Sequence, residues 1–270
     1  MIEKKNSNLY FVHANGFLPD AYKMLFQNLP SKLNINNYLL LKIFKDNKNL
    51  KLKNWIIYHD SFINSIKENK IIGMGHSIGG NIVLRSAITH QELFKSVILL
   101  DPTLFVPKVI FFWKLFYYLN IQNRFHPWLN STLNRKMEYE NYNTMFNAYR
   151  KKEVFSKIDD QNLKIYIDSL IQYDKEKCKI IYPKEYEYSI YKTGLLEDNF
   201  IWKNIHKISI PTLIIRAEES NAFLEDAANK VTKLNKNIKI ITMKNTSHLF
   251  PLEKPIETSN LINEFISKYH

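Results

Sequence analysis

Of the 6 glycines in this 270-residue chain, four fall within eight consecutive positions, Gly73-Met74-Gly75-His76-Ser77-Ile78-Gly79-Gly80. A chain so sparing with glycine keeps it where a Cβ is not tolerated, at positive φ or where two backbones approach closely. The apolar run over residues 70–74 predicts a short buried strand, and residues 81–88 carry a helical pattern. Ser77 then lies on the turn between them, in the spacing Gly75-x-Ser77-x-Gly79. Such a turn lifts a serine Oγ clear of the sheet edge, where it can act as a nucleophile. Gly75 and Gly79 remove side chains that would collide on either side, and Gly80 lets the helix lie close to the strand. The helix N-terminus adds free N–H groups that favour developing negative charge.

The same alternation runs through much of the chain. Strands are expected over residues 8–13, 38–44, 96–101, 210–216 and 238–243. Helices are expected after residue 20, over 55–66, near 223–234 and from Pro255. Strands that are apolar throughout and alternate with helices imply an α/β fold, a mainly parallel sheet of about six strands covered on both faces. In such sheets ligands sit at the carboxyl ends of the strands. His13, Ser77, Asp101 and the loop after Arg216 all fall there. Between residues 103 and 206 the pattern changes to Phe, Tyr, Trp and Leu at helical spacing, which reads as an inserted helical cap. The expected organisation is a core of residues 1–102 and 207–270 with a cap of residues 103–206.

Composition excludes several classes. The net charge of +12 comes from lysines scattered among asparagines and isoleucines, without a basic run interleaved with aromatics, so no nucleic-acid partner is expected. The one cysteine, Cys178, cannot close an internal disulfide and reads as incidental. Residues 1–6 carry no signal-peptide core, and no segment approaches the roughly 20 apolar residues of a membrane span. A cytoplasmic protein without stable membrane insertion is the expectation. No Cys/His cluster has metal-ligand spacing and no dinucleotide fingerprint appears, so no metal and no cofactor are expected.

Three stretches together resemble the α/β-hydrolase superfamily: His13-Ala14-Asn15-Gly16-Phe17, Gly75-His76-Ser77-Ile78-Gly79, and Thr246-Ser247-His248-Leu249-Phe250-Pro251-Leu252-Glu253-Lys254-Pro255. The likeness covers residues 8–102 and 210–268, and the chain is expected to lack the N-terminal strand pair of larger relatives, as the compact hydroxynitrile-lyase and methylesterase-like members do. It implies a serine hydrolase acting on an ester or related acyl bond of a small, fairly apolar substrate. By the resemblance Ser77 is the nucleophile and His248 the base. Asn15 and Ile78 supply the oxyanion N–H groups, with Gly16 or Phe17 replacing Asn15 if the loop is longer. C–C hydrolysis and thioester hydrolysis use the same core and stay open.

The acid departs from the family pattern, because Asn221 stands where an aspartate is usual. Asp101 ranks first as the replacement, since some lipase-like members use that strand end; Glu219 or Glu218 comes second, and no acid at all third. That last case would make the chain a non-catalytic ligand-binding relative. His13 and His76 read as holding the turns, with His76, Phe17, Phe112 and Phe116 also expected around the substrate. The most apolar stretch of the insertion, residues 109–119, is expected to pack on the sheet, line an acyl pocket or rest on a lipid surface.

Overall fold

The computed structural model describes residues 7–46 and 50–270, so residues 1–6, read above as free of a signal-peptide core, lie outside the described residues. Among the described residues nine strands occur in chain order: β1 (Ser7–Val12), β2 (Leu33–Tyr38), β3 (Ile71–His76), β4 (Phe94–Leu100), β5 (Glu138–Tyr139), β6 (Ile171–Asp174), β7 (Lys177–Ile180), β8 (Thr212–Glu219) and β9 (Ile238–Ser247). Six of them form one parallel sheet in the order β2-β1-β3-β4-β8-β9. Alternate residues of its buried strands feed two apolar layers. Tyr10, Val12, Val97 and Leu99 point into one, and Leu9, Phe11, Ile98 and Leu100 into the other. The first layer is closed by the helix Ile78–Thr89 and the second by the helix Pro255–Tyr269. Each face is thereby removed from water, which is why these strands carry no polar alternation.

The second strand departs from expectation. It runs over Leu33–Tyr38, and Lys42–Asp46 is helical, where the sequence predicts a strand over 38–44. At the sheet edge, β2 tolerates Asn34, Asn36 and Asn37, and a polar run hides an edge strand from hydrophobicity counting. Leu40, Ile43 and Phe44 are buried from a turn and a helix instead.

Between β4 and β8 the chain forms helices, among them Pro107–Tyr118, Tyr142–Arg150, Asp160–Leu170 and Lys184–Thr193. It also forms a three-stranded antiparallel sheet ordered β5-β7-β6, where the sequence leads one to expect helices alone. The added strands are two to four residues long, too short to leave a period-two signature. Cys178 lies buried within β7.

Candidate active site

The turn after β3 imposes φ 59° and ψ −121° on Ser77. A non-glycine residue is held in such a conformation only when its surroundings over-determine it. Here the Ser77 N–H donates to the Leu100 carbonyl at 3.0 Å, and the Ser77 carbonyl accepts from Asn81 and Thr103. The glycines are required by contact. A Cβ on Gly75 would stand 2.3 Å from the Gly79 carbonyl oxygen, and one on Gly79 would stand 2.0 Å from that of Val12. Ser77 is therefore aimed by backbone, before any side chain contributes.

His248 follows β9, on a turn fixed by Glu253, whose carboxylate accepts from the Ser247 N–H at 3.0 Å and from the Ser247 hydroxyl. Its Nε2 lies 2.9 Å from Ser77 Oγ and its Nδ1 lies 2.6 Å from Asp101 Oδ2. The carboxylate accepts, so Nδ1 carries the proton and Nε2 presents its lone pair to the serine hydroxyl. Asp101 itself, at φ 40° just beyond β4, is fully buried. Its other donors are the Ser220 hydroxyl at 2.6 Å and the Ala217 N–H at 3.0 Å. Three donors offset the cost of burying this carboxylate.

The other acid candidates lie elsewhere. Glu219 pairs with Lys157 at 2.6 Å, and Glu218 pairs with Lys244 at 2.6 Å and accepts from the Asn245 N–H. Asn221 is exposed, and its neighbour Ser220 turns inward in its place. Ser220 also accepts the N–H groups of Ala222 and Phe223 at 3.1 and 2.8 Å, so one hydroxyl ties the loop to Asp101. Sequence reasoning missed Ser220 because it weighed the loop for carboxylates alone. It also missed Thr103, whose Oγ1 lies 3.2 Å from Ser77 Oγ.

The expectation that His76 lines the substrate site is corrected. His76 is fully buried, donates from Nε2 to the His248 carbonyl at 2.9 Å and accepts at Nδ1 from the Tyr22 hydroxyl at 2.6 Å. Burial, and next the adjacent His248 imidazole, hold it well below the usual histidine range. It is a neutral strut that fixes the main chain of His248. His13 is likewise buried, receiving the Leu40 N–H at Nε2 and donating from Nδ1 to the Ala14 carbonyl, and burial lowers it to about 4.

Asn15 stands at the end of β1 with its side chain clamped by the insertion. Its Nδ2 donates to the Glu187 carbonyl at 3.0 Å, and its Oδ1 accepts from the Tyr182 hydroxyl at 3.0 Å. Among the described hydrogen bonds neither the Asn15 N–H nor the Ile78 N–H has a partner within the protein. The Glu187 carboxylate meets Arg135 beside Gly16, and Phe17 stacks on Tyr166 with ring centres 4.6 Å apart. Phe112 and Phe116 belong instead to an aromatic row, Phe111-Phe112-Phe116-Phe125, in which Phe112 is 43% exposed, so Phe112 lines no closed pocket.

A six-stranded parallel sheet between helices, with serine on a glycine-flanked strand-to-helix turn and histidine after the last strand, defines an α/β-hydrolase. The sequence profile described as "Serine aminopeptidase, S33" matches residues 56–255, and the chain belongs to that family. No curated protein sequence matches the chain. Among solved structures, E-2-(acetamidomethylene)succinate hydrolase superposes with a TM-score of 0.75 at 16% identity, over 97% of this chain and 93% of that one. The peroxisomal α/β-hydrolase Lpx1 of Saccharomyces cerevisiae gives 0.74 at 18% identity, over 98% of this chain and 78% of that one. MenH from S. aureus gives 0.69 at 17% identity, over 99% and 96%. At these identities the likeness is one of fold.

Proposed function

We propose that this hydrolase is a serine enzyme cleaving an ester or related acyl bond of a small, fairly apolar substrate. Ser77 is its nucleophile, His248 its base and Asp101 its acid. The observation that carries the reading is the unbroken hydrogen-bond chain from Ser77 Oγ through both nitrogens of His248 to Asp101. Ser77 Oγ attacks the substrate carbonyl carbon as its proton passes to His248 Nε2. The imidazolium is stabilised by Asp101, whose carboxylate also accepts from Ser220 and Ala217. The N–H groups of Asn15 and Ile78 receive the oxyanion; one such donor is typically worth about 3 kcal/mol. His248 then protonates the leaving group, and water, activated by the same imidazole, releases the acyl group from Ser77. The cycle uses no cofactor. Residues 103–206 act as a cap, reaching the oxyanion loop through Tyr182 and Glu187. The aromatic pair Phe17 and Tyr166 beside that loop favours an apolar substrate.

A fluorophosphonate probe is expected to label the protein at Ser77, and Ser77→Ala to abolish labelling and lower kcat by about 10⁶. Well-folded protein that resists the probe would return the chain to the ligand-binding reading.

A further inference from the structure

The helix Pro107–Tyr118 is only half accommodated by the protein. Ile110 and Trp113 are buried, whereas Phe111 is 63% exposed and Tyr118 80% exposed. Phe111, Leu115 and Tyr118 follow one another at helical spacing, with Phe112 and Leu119 beside them and Phe125 stacked at the helix end on Phe116. Monomeric proteins rarely leave so continuous an apolar face in water. The stretch that carries it is one-sided in charge. Residues 102–137 contain no aspartate or glutamate, while Lys108, Lys114, Arg124 and Lys136 fall within them beside Arg135, whose charge is met by Glu187. Lys108 and Arg124, at the two ends of the apolar face, are exposed.

We propose that this face docks the protein on an anionic lipid surface, the helix lying in the interface plane with its aromatics among the acyl-chain boundary. Apolar burial and attraction to anionic headgroups together give a peripheral protein its affinity, and this surface offers both. A second copy of the chain is a poorer occupant, because face-to-face pairing would set cations against cations with no acid from the stretch to meet them. Nor is the helix a span: no helix of the described residues is long and apolar enough to cross a membrane. The helix carrying this face begins four residues beyond Thr103, which touches Ser77, yet its docking is independent of the reaction assigned to that serine.

Flotation of the full-length chain with vesicles tests it. Wild-type protein should float with vesicles of phosphatidylcholine mixed with phosphatidylglycerol and float less with phosphatidylcholine alone. Phe111→Ser with Leu115→Ser should lower the partition coefficient at least about tenfold. Lys108→Gln with Arg124→Gln should lower it about twentyfold on the mixed vesicles only. All four positions are surface positions, and an unchanged thermal melt by circular dichroism identifies folded variants. Absence of wild-type flotation overturns the proposal. So does flotation that ignores Phe111 and Leu115, which would mean diffuse attraction to a cationic surface. A concentration-dependent dimer that those two substitutions abolish, without vesicle binding, would assign the face to a second copy.

Discussion

At the carboxyl edge of the sheet Ser77, Asp101 and His248 arrive from three strand ends, and each is held by more than one constraint. Ser77 and Asp101 sit at positive φ, and the main chain of His248 is tied to His76. In the inserted helix Pro107–Tyr118, by contrast, two residues are anchored in the core and an aromatic face is left to solvent. The difference lies in what does the positioning. Around Ser77 the positioning is done by backbone, through glycine contacts that admit no alternative. In the insertion it is done by side-chain packing, which has many near-equivalent solutions and tolerates exchange. The proposed chemistry is thus mounted on the rigid part, and the proposed docking face on the adaptable part.

The contrast is sharpest at Asp101. If the sheet edge is as over-determined as its geometry implies, Asp101→Asn should lower kcat by about 10⁴ with the fold intact, because an amide can fix the wrong imidazole tautomer. Ser220→Ala, removing one of three donors to that carboxylate, should cost less. Asn221→Asp should change little, since residue 221 is exposed. Steady-state kinetics on a soluble ester decides. A mild Asp101→Asn effect together with a gain from Asn221→Asp would break the assignment of the acid to β4.

The same contrast explains what could be read from the sequence. Gly75, Ser77, Gly79 and His248 were legible because rigid backbone geometry narrows residue choice to a few types. The strands β1, β3, β4 and β8 were legible because burial on both faces leaves only apolar residues. Edge strand β2 was misread, its asparagines being permitted by solvent. The acid stays open between three answers in the sequence because reach across strand ends depends on a three-dimensional turn, and the loop side chain that meets Asp101 is a hydroxyl, Ser220, not a charge. The contacts of Tyr182 and Glu187 with Asn15 span more than 160 residues of sequence and rest on single hydrogen bonds. No periodicity announces them.

A second joint between core and insertion is polar and buried. Asn81, on the helix behind Ser77, donates from Nδ2 to the Thr103 carbonyl at 2.8 Å and to Asp198 Oδ2 at 2.9 Å. Burial lifts the Asp198 carboxyl from 3.8 to about 7, against the pull of Asn81 and Arg85. With the folded value above the unfolded one, the native state holds a proton between these limits that the unfolded chain has lost. The contribution is complete below about pH 4 and is lost as pH rises through about 7. Asp198→Asn, which keeps an acceptor for Asn81, should be near neutral at pH 4 and stabilising by about 2–4 kcal/mol at pH 8. Taking the difference between variant and wild type in chemical denaturation cancels the opposite trend of the buried histidines His13 and His76. Equal differences at the two pH values would mean that Asp198 stays ionised in the folded protein.

A modest loss of kcat tests whether the insertion reaches the chemistry at all. Tyr182 touches no reacting atom in the proposed mechanism; its hydroxyl donates to Asn15 Oδ1, and the Asn15 main-chain N–H is the proposed oxyanion donor. Tyr182→Phe keeps the ring and its packing while leaving Asn15 Oδ1 with one donor fewer in a buried place. A neutral hydrogen bond contributes about 0.5–1.5 kcal/mol, and the oxyanion gains most from a fixed donor in the transition state. The substitution should therefore lower kcat on the order of tenfold with KM unchanged, because binding of the ground state does not use the oxyanion geometry. A purely structural role would lower the melting temperature and leave kcat per folded molecule as it was. A rise in KM at constant kcat would place Tyr182 against the substrate instead. Loss confined to kcat would join the two regions, with the adaptable insertion setting the orientation of one donor in the rigid site.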